Sequence, residues 1–250
     1  MKGDYAMEIK FVEDVDLKGA TLIEGFPGLG LVGPMTVSYI IDKLGMKYIG
    51  YIESDDFPPI ISIHGGKPYP PVRLYYSEKK AILATFSEFT IPIALVKELS
   101  GKMFAMVKTK QISRVISIGG MPAKPDDDKT VYAIGSTPDA LKQAQKSGLN
   151  GVVEGVSAGT SALLLFQASA EKVFDINILV PVNPSIIDPE YAELAINSIN
   201  KLLDLNIDIT ELEKEAKDVE EKIRDMLKKS KETHDNYRNA GGYGPASMYA

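Results

Sequence analysis

Between residues 7 and 208 the chain switches repeatedly between short runs rich in β-branched residues and stretches of helical periodicity. Few folds other than a layered α/β domain satisfy that alternation, because each strand must bury a face that the next helix covers. Strands are predicted at 8–12, 20–24, 47–53, 60–64, 72–76, 81–87, 112–118, 131–135 and 176–182, and helices at 32–44, 91–108, 138–147, 160–170 and 189–203. Between 60 and 87 the strands follow one another with no room for a crossover helix, so a β-meander is expected there. The predicted fold is a three-layer α/β/α domain with a mixed sheet over residues 1–208.

Charge and composition narrow the chemistry. The 250 residues carry 28 Lys plus Arg against 34 Asp plus Glu, a net charge of −6. That balance disfavours backbone contacts to nucleic acid, which need a concentrated positive field. There is no cysteine, so disulfides, thiol nucleophiles and thiolate-bound zinc are excluded, and His64 and His234 are the only histidines. No apolar run approaches a membrane span and residues 1–10 lack a signal-peptide core, so a cytoplasmic protein without a membrane partner is expected.

The last forty or so residues differ in kind. Thr210 followed by Glu213 reads as a capping box opening a helix over 209–233. Apolar residues from Leu205 through Ile209, Leu212, Ala216, Val219 and Ile223 to Met226 form an a/d-like seam. Leu212, Ala216, Val219, Ile223 and Met226 either face a second subunit or partner, as in a coiled coil, or pack on their own domain. From 234 to 250 the glycines at 241, 242 and 244 and Pro245 argue for a flexible tail.

Several motifs carry possible chemistry. Gly28-Leu-Gly30-Leu-Val-Gly33 fits G-x-G-x-x-G after a strand, with Glu53 ending the next one. However, Gly25, Phe26 and Pro27 lengthen the turn beyond the dinucleotide pattern, which favours glycines that simply permit a tight strand-to-helix crossing. A nucleotide- or nucleoside-binding enzyme built on Gly28, Gly30 and Gly33 is the alternative function. Gly155-Val-Ser157-Ala-Gly159 fits a nucleophile elbow with Asp188 and His234 in hydrolase order, but no long strand precedes it. Asp126, Asp127 and Asp128 read as a solvated turn, and Glu24, Glu53 and Glu88 fall near strand ends without defining a reaction. The ending Met248-Tyr249-Ala250 presents a hydrophobic residue, a penultimate tyrosine and a free carboxylate, groups that a lysine or backbone nest can capture.

The stretch Glu24-Gly-Phe-Pro-Gly-Leu-Gly-Leu-Val-Gly33 resembles the signature of the proteasome assembly chaperone family. Ser117-Ile-Gly-Gly-Met121 and the run from Gly155 to Leu165 are similar to its later glycine-rich turns. The resemblance implies a homo-oligomer, a tetramer being one size that fits, without catalysis, cofactor or metal. It further implies docking into pockets between α-subunits of the proteasome core particle through a hydrophobic-Tyr-any ending, which Met248, Tyr249 and Ala250 match position by position. With no G-x-x-x-x-G-K-[ST] in the chain, the expected activity is ATP-independent activation or assembly.

Overall fold

The computed structural model describes residues 7–123, 129–212 and Lys228. In chain order the first half contains β1 (Glu8–Phe11), β2 (Thr21–Gly25), α1 (Val32–Lys43), β3 (Lys47–Glu53), β4 (Ser62–His64), β5 (Lys67–Tyr69), β6 (Val72–Ser77) and β7 (Ile82–Ser87). The second half contains α2 (Ile93–Thr109), β8 (Arg114–Pro122), β9 (Tyr132–Gly135), α3 (Pro138–Lys146), β10 (Asn150–Gly151), α4 (Thr160–Glu171), β11 (Asp175–Val182) and α5 (Pro189–Leu203).

Among the described residues, nine strands form one mixed sheet in the order β1-β3-β6-β7-β2-β8-β11-β9-β10. Its centre, β7-β2-β8-β11, is parallel, and β1, β3 and β6 extend it as antiparallel neighbours. The central strands are buried on both faces, which is why β2 and β7 read as nearly continuous apolar runs. Successive residues then feed different layers. Leu22, Leu83 and Val115 pack under α2 and α4, whereas Ile23, Ala84 and Ile116 pack under α1, α3 and α5. Packing rather than capping holds α2: Pro92 at its N-cap offers no side-chain acceptor, but Leu95, Leu99, Met103 and Val107 bury one stripe. Each such side chain is worth about 1.5–3 kcal/mol.

Two expectations need correction. The meander does not include 60–64: β4 leaves the main sheet and pairs only with β5. Gly65 and Gly66 turn that hairpin with φ of 56° and 76°, the paired positive values of a two-residue type I′ turn. Next, β8 continues past Ile118 to Pro122, and the short β10 adds an edge strand that apolar patterning could not reveal. Asp208 Oδ1 accepts from the Thr210 N–H at 2.9 Å, and Glu213, the other half of the expected capping box, lies outside the described residues.

The segment after α5 lies back on α1, where Tyr39 Oη donates to the Asp208 carbonyl at 2.7 Å. Leu205 and Leu212, both part of the apolar seam, are buried in the core of their own domain. Ala216, Val219, Ile223 and Met226, the tail at 234–250 and Asp126 to Asp128 lie outside the described residues. Among the described residues no helix is long and apolar enough to cross a membrane.

Candidate functional site

A cleft of about 1230 Å³ opens where β2 and β8 end and α2 and α4 begin. Open α/β sheets commonly hold ligands at this carboxyl edge. Phe26, Ile91, Val96, Ile118 and Leu179 supply apolar walls, and Ile93, Val153 and Val156 stand exposed around the mouth. Asn177 and Ser161 also line it.

These two belong to a buried polar row. Thr85 on β7 is in register with Glu24 on β2, Glu24 with Ser117 on β8, and Ser117 with Asn177 on β11. In-register neighbours in a sheet share a face, so four polar side chains cross the four central strands beneath α2 and α4 at spacings of about 4.8 Å. Asp175 lies one pleat behind Asn177 on the same face.

Glu24 is fully buried. Burial pushes its carboxyl up to about 7, against the Ser161 Oγ donation at 2.8 Å and the Phe26 N–H donation at 3.2 Å. Asp175 is raised well above the ordinary aspartate value, first by burial and then by the charge of Glu24. Neither Asp175 carboxyl oxygen, nor Asn177 Oδ1, nor Thr85 Oγ1 has a hydrogen-bond partner. An unsatisfied buried polar atom costs about 1–3 kcal/mol, so this row weakens the fold it crosses, as functional sites do.

The motif glycines separate into different roles. Gly25 and Gly33 stack backbone against backbone, and a Cβ on Gly33 would fall 2.9 Å from Gly25 Cα. Gly30 has φ of 67°. Of Gly25, Gly28, Gly30 and Gly33, only Gly28 lines the cleft, and it has open space where a Cβ would sit. The N-terminus of α1 offers no phosphate cradle, since Val32, Gly33 and Pro34 are buried there and proline lacks an N–H.

Glu53 is not brought to this turn. Its strand, β3, is separated from β2 by β6 and β7, and its carboxylate pairs with Lys10. Ser157 lies on an exposed loop preceded only by β10, while Asp188 caps α5 by accepting from the Glu190 N–H at 2.9 Å. Glu88 accepts from His64 at 2.9 Å and from Arg73 at 2.6 Å, tying the β4-β5 hairpin to the sheet.

Of the acids near strand ends, Glu24 alone enters the polar row; sequence reasoning does not single out Ser117, Ser161, Asp175 or Asn177. For Asp175 and Asn177 the signal is polar residues at alternate positions in a strand otherwise apolar on both faces.

Fold and cleft together define a class: an α/β protein with helices on both faces of a mixed sheet and an apolar crevice at its parallel edge. The chain belongs to the PAC2 family, which it matches over residues 22–227. An uncharacterized protein of Methanocaldococcus jannaschii is 30% identical over 224 residues, 87% of this chain and 90% of that one. The crystal structure of Pyrococcus furiosus PbaA, an archaeal homolog of proteasome-assembly chaperone, is 30% identical with a TM-score of 0.82. That match covers 91% of this chain and all of the other. Pyrococcus furiosus PbaB, an archaeal proteasome activator, shares the fold at 23% identity and a TM-score of 0.74, covering 88% of this chain and 98% of its own.

Proposed function

We propose that this protein is an ATP-independent proteasome-binding factor, an activator or assembly chaperone that acts on the α-ring of the core particle. The likeness to PbaA, which spans nearly the whole of both chains, carries the reading. In this scheme Met248, Tyr249 and Ala250 enter pockets between α-subunits. Tyr249 supplies apolar area and a phenol, and the terminal carboxylate pairs with a pocket lysine. Several tails from one homo-oligomer, with a tetramer as the working size, bind together. Such linkage raises avidity by about 10² to 10⁴ over a single tail where the spacings match. No catalytic step is assigned to the chain.

The test is co-sedimentation with an archaeal core particle, with peptide hydrolysis measured in parallel. Removing residues 248–250 is expected to abolish binding and any stimulation while oligomer mass and melting temperature stay unchanged. Tyr249→Ala should come close to the same result. Appending one residue after Ala250 should weaken binding by displacing the carboxylate. Full binding by the truncated chain would move the function from the tail to the α/β domain.

A further inference from the structure

Independently of the proteasome reading, the cleft has properties of a small-molecule site whose occupant can be specified chemically. Its walls are apolar over most of their extent, so the body of the ligand is a hydrocarbon chain. Among the described residues lining it there is no lysine, arginine or histidine, and the single charge is Glu154 at the exposed rim. Beneath the inner end lie two more acids, Glu24 behind Ser161 and Asp175 beside Asn177.

The atoms left without partners there include Asn177 Oδ1, with its residue only 2% exposed, both Asp175 carboxyl oxygens and the hydroxyl oxygens of Thr85 and Ser117. Amide and hydroxyl oxygens accept, as do carboxyl oxygens once ionised, and an ammonium group, with three donors and no acceptor, is their complement. An anion at the α4 N-terminus is disfavoured because the Ser161 hydroxyl is already donated to Glu24 and no basic side chain among the described lining residues would balance the anion's charge.

We propose that this cleft binds a small organic cation, a primary alkylammonium whose chain lies along the apolar walls and whose head group enters at Asn177 and Ser161. Burial, opposed by the hydrogen bonds from Ser161 and the Phe26 N–H, sets the Glu24 carboxyl at about 7. A cation placed against it favours the ionised carboxylate, so binding at slightly acidic pH expels a proton from the Glu24 and Asp175 pair. A purely apolar groove produces no such release.

The experiment is isothermal titration calorimetry of the full chain with hexylamine, 1-hexanol and sodium hexanoate at pH 6, in two buffers of different ionisation heat. Hexylamine is expected to bind at least tenfold more tightly than either isostere, with a dissociation constant of about 1 mM or below for a ligand of this size. Its heat should differ between the buffers by the amount that proton release requires. Asn177→Leu, which keeps the volume and removes the acceptor, should weaken hexylamine at least tenfold and leave hexanol unchanged. Equal binding of hexanol, tighter binding of hexanoate, absence of proton release or undiminished affinity in Asn177→Leu each overturns the proposal. Should Asn177→Leu fail to fold, the three-ligand series on the native chain decides alone.

Discussion

Glu24 is buried, so its ionised form lacks the hydration it would have in the unfolded chain, and the sign of its effect on stability follows from that. Its folded value of about 7 lies above the ordinary 4.5. The neutral carboxyl is therefore favoured by folding: its contribution is complete below the unfolded value and is lost as pH rises through 7. The loss is about 3 kcal/mol, since each pH unit between the two values corresponds to about 1.4 kcal/mol. Glu24→Gln is expected to flatten this dependence, so that its urea midpoint exceeds that of the native chain at pH 8 but scarcely differs at pH 5. Asp175, shifted in the same direction, accounts for any slope that remains. Parallel pH profiles for the two proteins would refute the assignment. The glycines offer a second contrast at this scale. Gly33→Ala should cost about 1–3 kcal/mol because its Cβ meets backbone at 2.9 Å, whereas Gly28→Ala, with open space around it, should melt with the native chain. Equal melting temperatures for the two variants would show that the Gly25–Gly33 contact can relax.

The β4-β5 hairpin, outside the main sheet, owes much of its attachment to one buried ion pair. Arg73 and Glu88 are nearly inaccessible, and His64 on β4 reaches Glu88 from the hairpin side. Burial alone would raise Glu88, but the His64 hydrogen bond and the Arg73 charge hold it below the ordinary glutamate value. A depressed carboxyl stabilises above its unfolded pKa and loses that contribution as pH falls through its folded value, so the anchor should fail only in acid, below about pH 4.5. Glu88→Ala leaves Arg73 buried and unpaired and should cost about 3–5 kcal/mol, with cleavage between β4 and β5 appearing early in limited proteolysis. An unchanged denaturation midpoint would mean that Tyr69, Tyr75 and Phe86, which surround the guanidinium, suffice to hold it. Most elements are legible at this scale because their signals are local. Thr137 accepts from the Ala140 N–H and Asp188 from the Glu190 N–H, each just before a proline, so both helix starts can be read directly. The hairpin is less visible, because its strands are only three residues each and the expected strand at 60–64 stops before the Gly65-Gly66 turn, leaving Lys67–Tyr69 without a strand signal.

For the assembled molecule the question is what meets the remainder of the seam beyond Leu212. If Val219 and Ile223 face a second subunit, Val219→Asp and Ile223→Asp should each lower the sedimentation mass of the oligomer or weaken its affinity for the core particle. Native mass, stability and affinity in both variants would assign the seam to its own domain, where Leu205 and Leu212 already pack. The sequence by itself determined the layered α/β class, most strand and helix positions and the resemblance through Glu24 to Gly33. Periodicity, capping and turn chemistry act over a few residues, so they can be read along the chain. Only the tertiary structure decided that β3 lies three places from β2, which takes Glu53 away from the glycine turn. It alone joined Thr85, Glu24, Ser117 and Asn177 into one row, because strand order and register come from packing between segments far apart in sequence, and no local pattern encodes which strands become neighbours.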